Sequence, residues 1–388
     1  MNLIEKIEAA GVVGCGGAGF PTHRKLSGSF EYLIANGAEC EPLLRHDRWL
    51  MRNKASEIVQ AMDAIGAELN IPNLVVALKD HYHAEAEAIE AAAAKLGSKV
   101  RVHRMESFYP AGDEQTMVYE VTGRVVPPAG IPAEVGAVVD NVATLFAVYE
   151  AMQGISFTKK YLTVTGEVYT PSVLHVPVGT PLLKCIELAG GAKIADYMVV
   201  TGGPMMGKPM TAEELQTAAV TKTTGGILVL PADGYHAKTS QLNVKRMLSR
   251  ARSACIQCTS CSQLCPRHML GHPLQPHMIM RKMAMGGDPK DMLDDPIIRS
   301  AALCCECGIC EVYACPMGLN PRKINSLIKQ DLREAGIRYE RQQTSWEANP
   351  EREVRKAPTD KVAARAGVYR YNKLECSNFV EYDPQADR

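Results

Sequence analysis

One repeated cysteine spacing limits what this chain can fold into more than any other feature. Cys255-x2-Cys258-x2-Cys261-x3-Cys265-Pro266 recurs as Cys304-x2-Cys307-x2-Cys310-x4-Cys315-Pro316. Three thiolates two residues apart converge from one tight loop, and a cubane iron–sulfur cluster needs a fourth from elsewhere. In paired arrangements of this kind the cysteine before proline ligates the other cluster. The repeat therefore predicts two neighbouring 4Fe–4S clusters. Cys255, Cys258, Cys261 and Cys315 hold one, and Cys304, Cys307, Cys310 and Cys265 hold the other. Cys-x2-Cys also suits structural zinc, but zinc needs no third cysteine at this spacing followed by Cys-Pro. The second copy is one residue longer, and Cys305 beside Cys304 leaves the register ambiguous. The spacing favours Cys304 as the ligand and Cys305 as a packed neighbour.

Nine of the 13 cysteines lie between Cys255 and Cys315. An odd count in a large chain without a secretory signal argues against a disulfide framework. The start, Met1-Asn2-Leu3-Ile4-Glu5-Lys6, has no apolar signal segment. No uncharged apolar run approaches the ~18 residues of a membrane span. Lys+Arg and Asp+Glu are both 43, so the basic excess of a nucleic-acid binder is missing. A cytoplasmic protein with no membrane span and no nucleic-acid partner is expected.

The 388 residues predict a multidomain α/β and α+β chain. Within 1–155, Glu31–Asn36 reads as a short buried strand, Asn73–Leu78 as an apolar strand-length run and Lys99–His103 as a further candidate strand. Lys54–Asn70 and His83–Leu96 carry helical spacing, so a mostly parallel sheet is expected. Residues 156–235 alternate around Tyr161–Val168, then offer a helix from Pro181 to Ala189 and a strand from Tyr197 to Thr201, which suggests a small α+β module. Residues 236–338 hold the cysteines among short helical pieces. Residues 339–388 lack pattern and are expected to extend over the other domains or stay loose. Lys238, Lys245, Arg246, Arg250 and Arg252 crowd the connector before the first cysteine motif. A solvated linker is the plainer reading of them, and a dock for an acidic partner the sharper one. His268, His272 and His277 read as surface or packing residues rather than corrinoid ligands.

Gly14-Cys15-Gly16-Gly17-Ala18-Gly19-Phe20-Pro21 formally matches G-x-G-x-x-G. It follows a short helix (Leu3, Ile4, Ile7) rather than a strand, so it is not an ordinary dinucleotide turn. Its glycines still let a backbone approach a phosphate or a ring closely. Taken with Asn36-Gly37-Ala38-Glu39-Cys40-Glu41-Pro42, Tyr109-Pro110-Ala111-Gly112-Asp113-Glu114 and Asn141-Val142-Ala143-Thr144, the loop resembles the FMN- and NADH-binding domain shared by RnfC and the complex I flavoprotein. The middle module resembles an SLBB β-grasp domain. The cysteine region, with Cys304-Cys305-Glu306-Cys307-Gly308-Ile309-Cys310 and Cys315-Pro316-Met317-Gly318-Leu319, is similar to the dicluster domain of the RnfC-like cobalamin reductases of bacterial microcompartments.

The resemblance implies a Rossmann-like FMN domain, a β-grasp SLBB domain and a mostly helical ferredoxin domain. It implies roles for matching residues too. Gly14, Gly16, Gly17 and Gly19 would line the FMN, and Lys25 would help hold it. Asn36, Glu39 and Glu41 would face the isoalloxazine and nicotinamide, the two carboxylates orienting substrate or tuning the flavin. Tyr109, Gly112, Asp113 and Glu114 would complete the pocket, Asn141 and Thr144 would bind the phosphate end, and Phe20 would stack on NADH. The implied activity passes electrons from NADH through FMN and two clusters to a corrinoid. A subunit exchanging electrons between NADH and ferredoxin, flavodoxin or a radical-enzyme activase is the alternative. A non-catalytic SLBB module that binds cobalamin or a partner is a third reading. Shell proteins or electron-transfer subunits are the further partners implied. Two features depart from relatives. Cys15 stands where complex I flavoproteins carry arginine, and longer relatives continue past the position of Tyr371 with another domain.

Overall fold

A computed structural model describes residues 1–285, 289–342, 345–374 and 376–384. Part of the expectation for 339–388 therefore lies outside the described residues, at 343–344, 375 and 385–388.

The near-continuous apolar runs Tyr32–Asn36 and Asn73–Lys79 become the central strands of a four-stranded sheet. Its order is Arg101–Met105, Asn73–Lys79, Tyr32–Asn36, Ala137–Asn141, and every pairing is parallel. Such strands are apolar throughout because both faces are covered. Leu33 and Ala35 point to one side, where helices Ala55–Glu68, His83–Leu96 and Val142–Met152 pack. Ile34 and Ala77 point to the other, against Met117 and Val118 of helix Glu114–Thr122. The chain runs from Tyr32–Asn36 to one flank and returns to the other at Ala137–Asn141. The strand order thus reverses between these two strands, and a crevice opens at their carboxyl ends, where α/β sheets bind ligands.

A second, six-stranded mixed sheet follows, built from Lys159–Gly166, Ser172–Pro177, Tyr197–Thr201, Lys208–Met210 and Gly226–Pro231. Its outermost strand on one side is Asn378–Glu381, which pairs parallel to Ser172–Pro177. Phe379 of that strand stacks on Trp49 with ring centroids 4.3 Å apart. Residues 350–381 also hold the helices Thr359–Arg365 and Tyr369–Asn372. The connector before the first cysteine motif is two helices, Tyr235–Ser240 and Val244–Ala254.

The cysteine region is helical. Val244–Ala254, Pro276–Met285 and Pro321–Glu334 pack around Ile279, Met283, Ile298 and Ile328. A separate apolar cluster sits where the sheets, the cysteine region and the late helices meet. It unites Leu43 and Tyr109 with Val200, Met205 and Leu228, and with Cys307, Ile309, Val362 and Tyr371. This shared core fixes the crevice relative to the cysteines.

Candidate functional site: a phosphate-type crevice joined to two thiol groups

Asn36 and Asn141 are register partners at the carboxyl ends of the two strands that border the crevice. The glycine-rich loop closes over them: Gly16 lies against Asn141, and a Cβ at Gly16 would stand 3.6 Å from the Asn141 Cβ. Cys15 N–H donates to Thr144 Oγ1 (2.9 Å), so Thr144 and the buried Cys15 set the height of the loop. Gly17 takes φ +109°, a conformation L side chains rarely adopt, and faces open space. Gly14 N–H donates to Phe20 O, which closes the loop at its base. Gly19 has φ +66° and abuts Thr223 of the second sheet's loop. Phe20 is 53% exposed at the rim.

Lys25 reaches into the crevice, its Nζ 2.7 Å from Glu114 Oε1 and 3.9 Å from Asp140 Oδ1. Burial works against its charge, but Asp140 and Glu114 outweigh burial and hold the ammonium above its usual value. Burial pushes the Asp140 carboxyl up to about 6, with Lys25 opposing. Asp140 Oδ2 is buried with no hydrogen-bond partner among the described residues. Asn36 donates to Gly112 O (2.9 Å) and accepts from Ala38 N–H. A Cβ at Gly112 would press to 3.2 Å on the Cys40 sulfur, a tight contact that glycine avoids.

Behind the crevice lies a buried acid–imidazole group that the motifs only half reveal. Glu39 sits at φ +28°, unusual for a non-glycine. Its carboxylate lies 4.0 Å from His46 Nδ1, and His46 Nε2 lies 3.3 Å from Asp47 Oδ1. Asn141 Nδ2 donates to Asp47 Oδ2 at 2.7 Å. Burial, then the Asp47 and Glu41 charges, push the Glu39 carboxyl well up, while burial pushes His46 down to about 4. His46 is therefore a neutral imidazole near pH 7, and the Glu39 carboxyl is held toward its protonated form. Glu41 is used differently from the expectation. Its oxygens accept from the Met205 and Met206 amides at 2.8 and 2.7 Å, so it ties the crevice loop to the second sheet instead of facing an open site. Burial raises it to about 7, partly offset by those two amides.

The eight cysteines of the repeated motif lie in two surroundings, and no disulfide forms among the described residues. Cys255, Cys258, Cys261 and Cys315 line one cavity with Ile256, Gln257 and Met317. Cys265, Cys304, Cys307 and Cys310, the inner set, are all buried. The outer cavity brings Cys315 of the second copy beside three cysteines of the first. The two loops repeat in backbone as well as sequence. Gln257 and Glu306 are left-handed at φ +54° and +59°, and Thr259 and Gly308 at +63° and +81°. In the second loop this turn aims the Glu306 N–H at Cys304 Sγ (3.4 Å), and beyond the motif Leu319 N–H lies 3.4 Å from Cys315 Sγ. The extra residue of the second copy is absorbed in a π-helical turn, Cys310–Ala314, as one-residue insertions into helices commonly are. Cys305 is turned toward Cys307 and the Arg267 guanidinium. Four thiols per group suit a cubane cluster, and amide donors to sulfur are the usual supporting shell.

Two contacts join the crevice to the inner thiol group. Tyr109 O–H donates to the Cys307 carbonyl at 2.5 Å. Arg267, two residues past Cys265, forks onto Asp113 with contacts of 2.5 and 2.9 Å. Burial opposes both charges, but each holds the other ionised. Asp113 also caps helix Glu114–Thr122 by accepting from Thr116. Its oxygens are thus spent on a link between loops rather than held open to the crevice. Asp140, His46, Asp47 and Arg267 are absent from the sequence-derived site. Asp140 stands directly before the Asn141 motif, which is a usable signal. Arg267 gains its meaning only from a partner 154 residues away.

Comparison with known proteins follows these parts in order. The family described as Nuo51 FMN-binding domain matches residues 7–150, the SLBB domain 161–209 and the 4Fe-4S dicluster domain 254–320. The chain is 39% identical to the cobalamin reductase PduS of Salmonella typhimurium, covering 100% of this chain and 83% of that protein. The chain belongs to the PduS family. The Citrobacter freundii PduS is likewise 39% identical over 95% of this chain and 79% of its own length. One component of the Na+-translocating ferredoxin:NAD+ oxidoreductase complex of Acetobacterium woodii is 33% identical over 67% of this chain and 56% of its own length. An NAD+-reducing NiFe hydrogenase shares the fold (TM-score 0.57, 21% identity), covering 87% of this chain; the chain spans 63% of the hydrogenase chain. The chain is a multidomain α/β oxidoreductase with FMN and 4Fe–4S cofactors. No described helix is long and apolar enough to cross a membrane.

Proposed function

We propose that this PduS-family chain is an NADH-dependent flavo-iron–sulfur reductase whose acceptor is a corrinoid, taken from cob(II)alamin to cob(I)alamin. When bound, FMN takes a hydride from NADH and the clusters carry single electrons onward. The crevice fits FMN on its own geometry. Gly17 opens onto free space in a left-handed turn, and Asp140 Oδ2 is a buried polar atom left without a partner among the described residues.

The observation that carries the reading is the Tyr109–Cys307 hydrogen bond, which makes the crevice wall and an inner thiol loop one structure. Gly14, Gly16, Gly17, Gly19, Lys25 and Asn141 hold the flavin, and Thr144 positions their loop through Cys15 N–H. Asn36 and Gly112 border the ring. Phe20, exposed at the rim, takes the nicotinamide side. Glu39 lies beside the crevice, with His46 and Asp47 behind it. Glu41 and Asp113 are positioning residues rather than substrate contacts. Cys255, Cys258, Cys261 and Cys315 hold the outer cluster, and Cys265, Cys304, Cys307 and Cys310 the inner one. The four segments 1–155, 156–235, 236–338 and 339–388 are the working units.

Anaerobic titration with NADH, followed by visible absorbance and EPR, tests this. Flavin bleaching and then reduced-cluster signals are expected, and added cob(II)alamin should reoxidise the protein. Intact clusters that ignore NADH would overturn the reading. Work inside a bacterial microcompartment is the finer proposal, supported by the family resemblance and tested by co-purification with shell proteins.

A further inference from the structure

The chain is neutral overall, yet between Asp233 and Asp288 it has no acidic residue and eight Lys or Arg. Two of the eight are neutralised: Arg267 by Asp113 and Lys282 by Asp295. Arg250 donates to the Gly318 carbonyl at 2.9 Å. Lys238, Lys245, Arg246, Arg252 and Arg281 have no acidic partner among the described residues, and all five are exposed.

Helix Val244–Ala254 explains their placement. Met247 and Ala251 are its buried positions, and Lys245, Arg246 and Arg252 fall on the opposite side of the turn. The helix runs directly into Cys255. Lys238, Leu242, Arg246, Arg250 and Gly318 line an open cleft. Gly318 adjoins Met317, which lines the outer thiol cavity. The basic cleft and the outer thiol loop are therefore one continuous face. At its centre Cys258 is exposed, with Ile256 61% and Met317 40% exposed beside it. An apolar centre within a charged rim is the anatomy of a transient protein interface, and a rim of a single sign steers the encounter.

We propose that this face docks a protein with an acidic surface around its own one-electron acceptor. The inference rests on the function proposed above and adds that electrons leave at the outer thiol loop, to a protein. For each NADH oxidised to NAD+ and a proton, two such partners each gain one electron. A protein is favoured over a small anion because the cations span three helices and flank an apolar centre, and neither feature is needed to hold a small anion.

The test uses the cofactor-loaded chain and a purified acidic flavodoxin, with binding measured by anaerobic calorimetry at low and high salt. Binding should weaken at least ~10-fold from about 20 to about 300 mM salt, because the rim charges are exposed to screening. The triple variant Lys245→Glu, Arg246→Glu, Arg252→Glu should bind at least ~10-fold more weakly at low salt. It should keep its iron content and its thermal midpoint. Reversing Lys95, Lys99 and Arg101, exposed near the far edge of the first sheet, should leave binding unchanged. Equal affinity in the first triple variant, or equal loss in both, overturns the docking face. So does salt-independent binding or no binding at low salt. If NADH fails to reduce the clusters of the unaltered chain, the proposed function falls instead, and the binding result still decides the docking face.

Discussion

The two thiol groups are built from one repeated motif and end in opposite surroundings. Cys265, Cys304, Cys307 and Cys310 are all buried, Cys307 in the core shared with the crevice and Cys265 and Cys304 in the core of the helical region. Cys258 is exposed, and Cys255, Cys261 and Cys315 are half-buried beside a basic helix. The motif fixes sulfur geometry in both. The partners of the neighbouring residues decide which group faces inward. Arg267 follows the first copy and is buried against Asp113, whereas Arg250 and Arg252 precede it and reach solvent or a surface carbonyl.

This contrast can be broken by substitution. Arg267→Ala strips a buried partner from Asp113 and should cost about 3–5 kcal/mol. Chemical denaturation of the loaded protein measures it, and a loss under ~1 kcal/mol would mean that the inner link is not structural. A pH series extends the comparison into the crevice. Asp140 is raised from its ordinary 3.8 to about 6, so the fold favours its protonated form. Its contribution is full below pH ~3.8 and is lost as pH rises through about 6. The change is up to ~3 kcal/mol, and Asp140→Asn should remove it from the stability–pH curve. Tyr109→Phe leaves the Cys307 carbonyl without its donor and should cost ~1 kcal/mol. It should also change the inner-cluster EPR signal and leave the outer one in place. At the open end, Arg250→Ala should cost under ~1 kcal/mol, since its bond to Gly318 O is exposed. A cost matching that of Arg267→Ala would erase the inner–outer distinction.

The elements legible in the sequence are those with a period or a fixed spacing. His83–Leu96 and Tyr197–Thr201 have the expected bounds, and Asn73–Lys79 differs by one residue. Alternating strands and helices also foretell the parallel sheet. The basic connector before Cys255 shows as composition, but its two helices do not. Glu41 and Asp113 lie in motif positions whose chemistry suits a substrate, yet here Glu41 binds backbone amides from the second sheet and Asp113 binds Arg267. Spacing along one segment carries no information about a partner more than a hundred residues away. The buried Glu39–His46–Asp47 group is half visible for a different reason: its members are near in sequence, but no local pattern says that His46 folds back on Glu39.

The strand Asn378–Glu381 pairs with Ser172–Pro177, and its Phe379 stacks on Trp49 of the first domain. This clasp has a consequence in time. Its residues leave the ribosome after all eight cysteines of the repeated motif, so the second sheet cannot be sealed against the first while the thiols are being synthesised. Metal loading during translation would meet an unlatched chain, and fastening would come only afterwards.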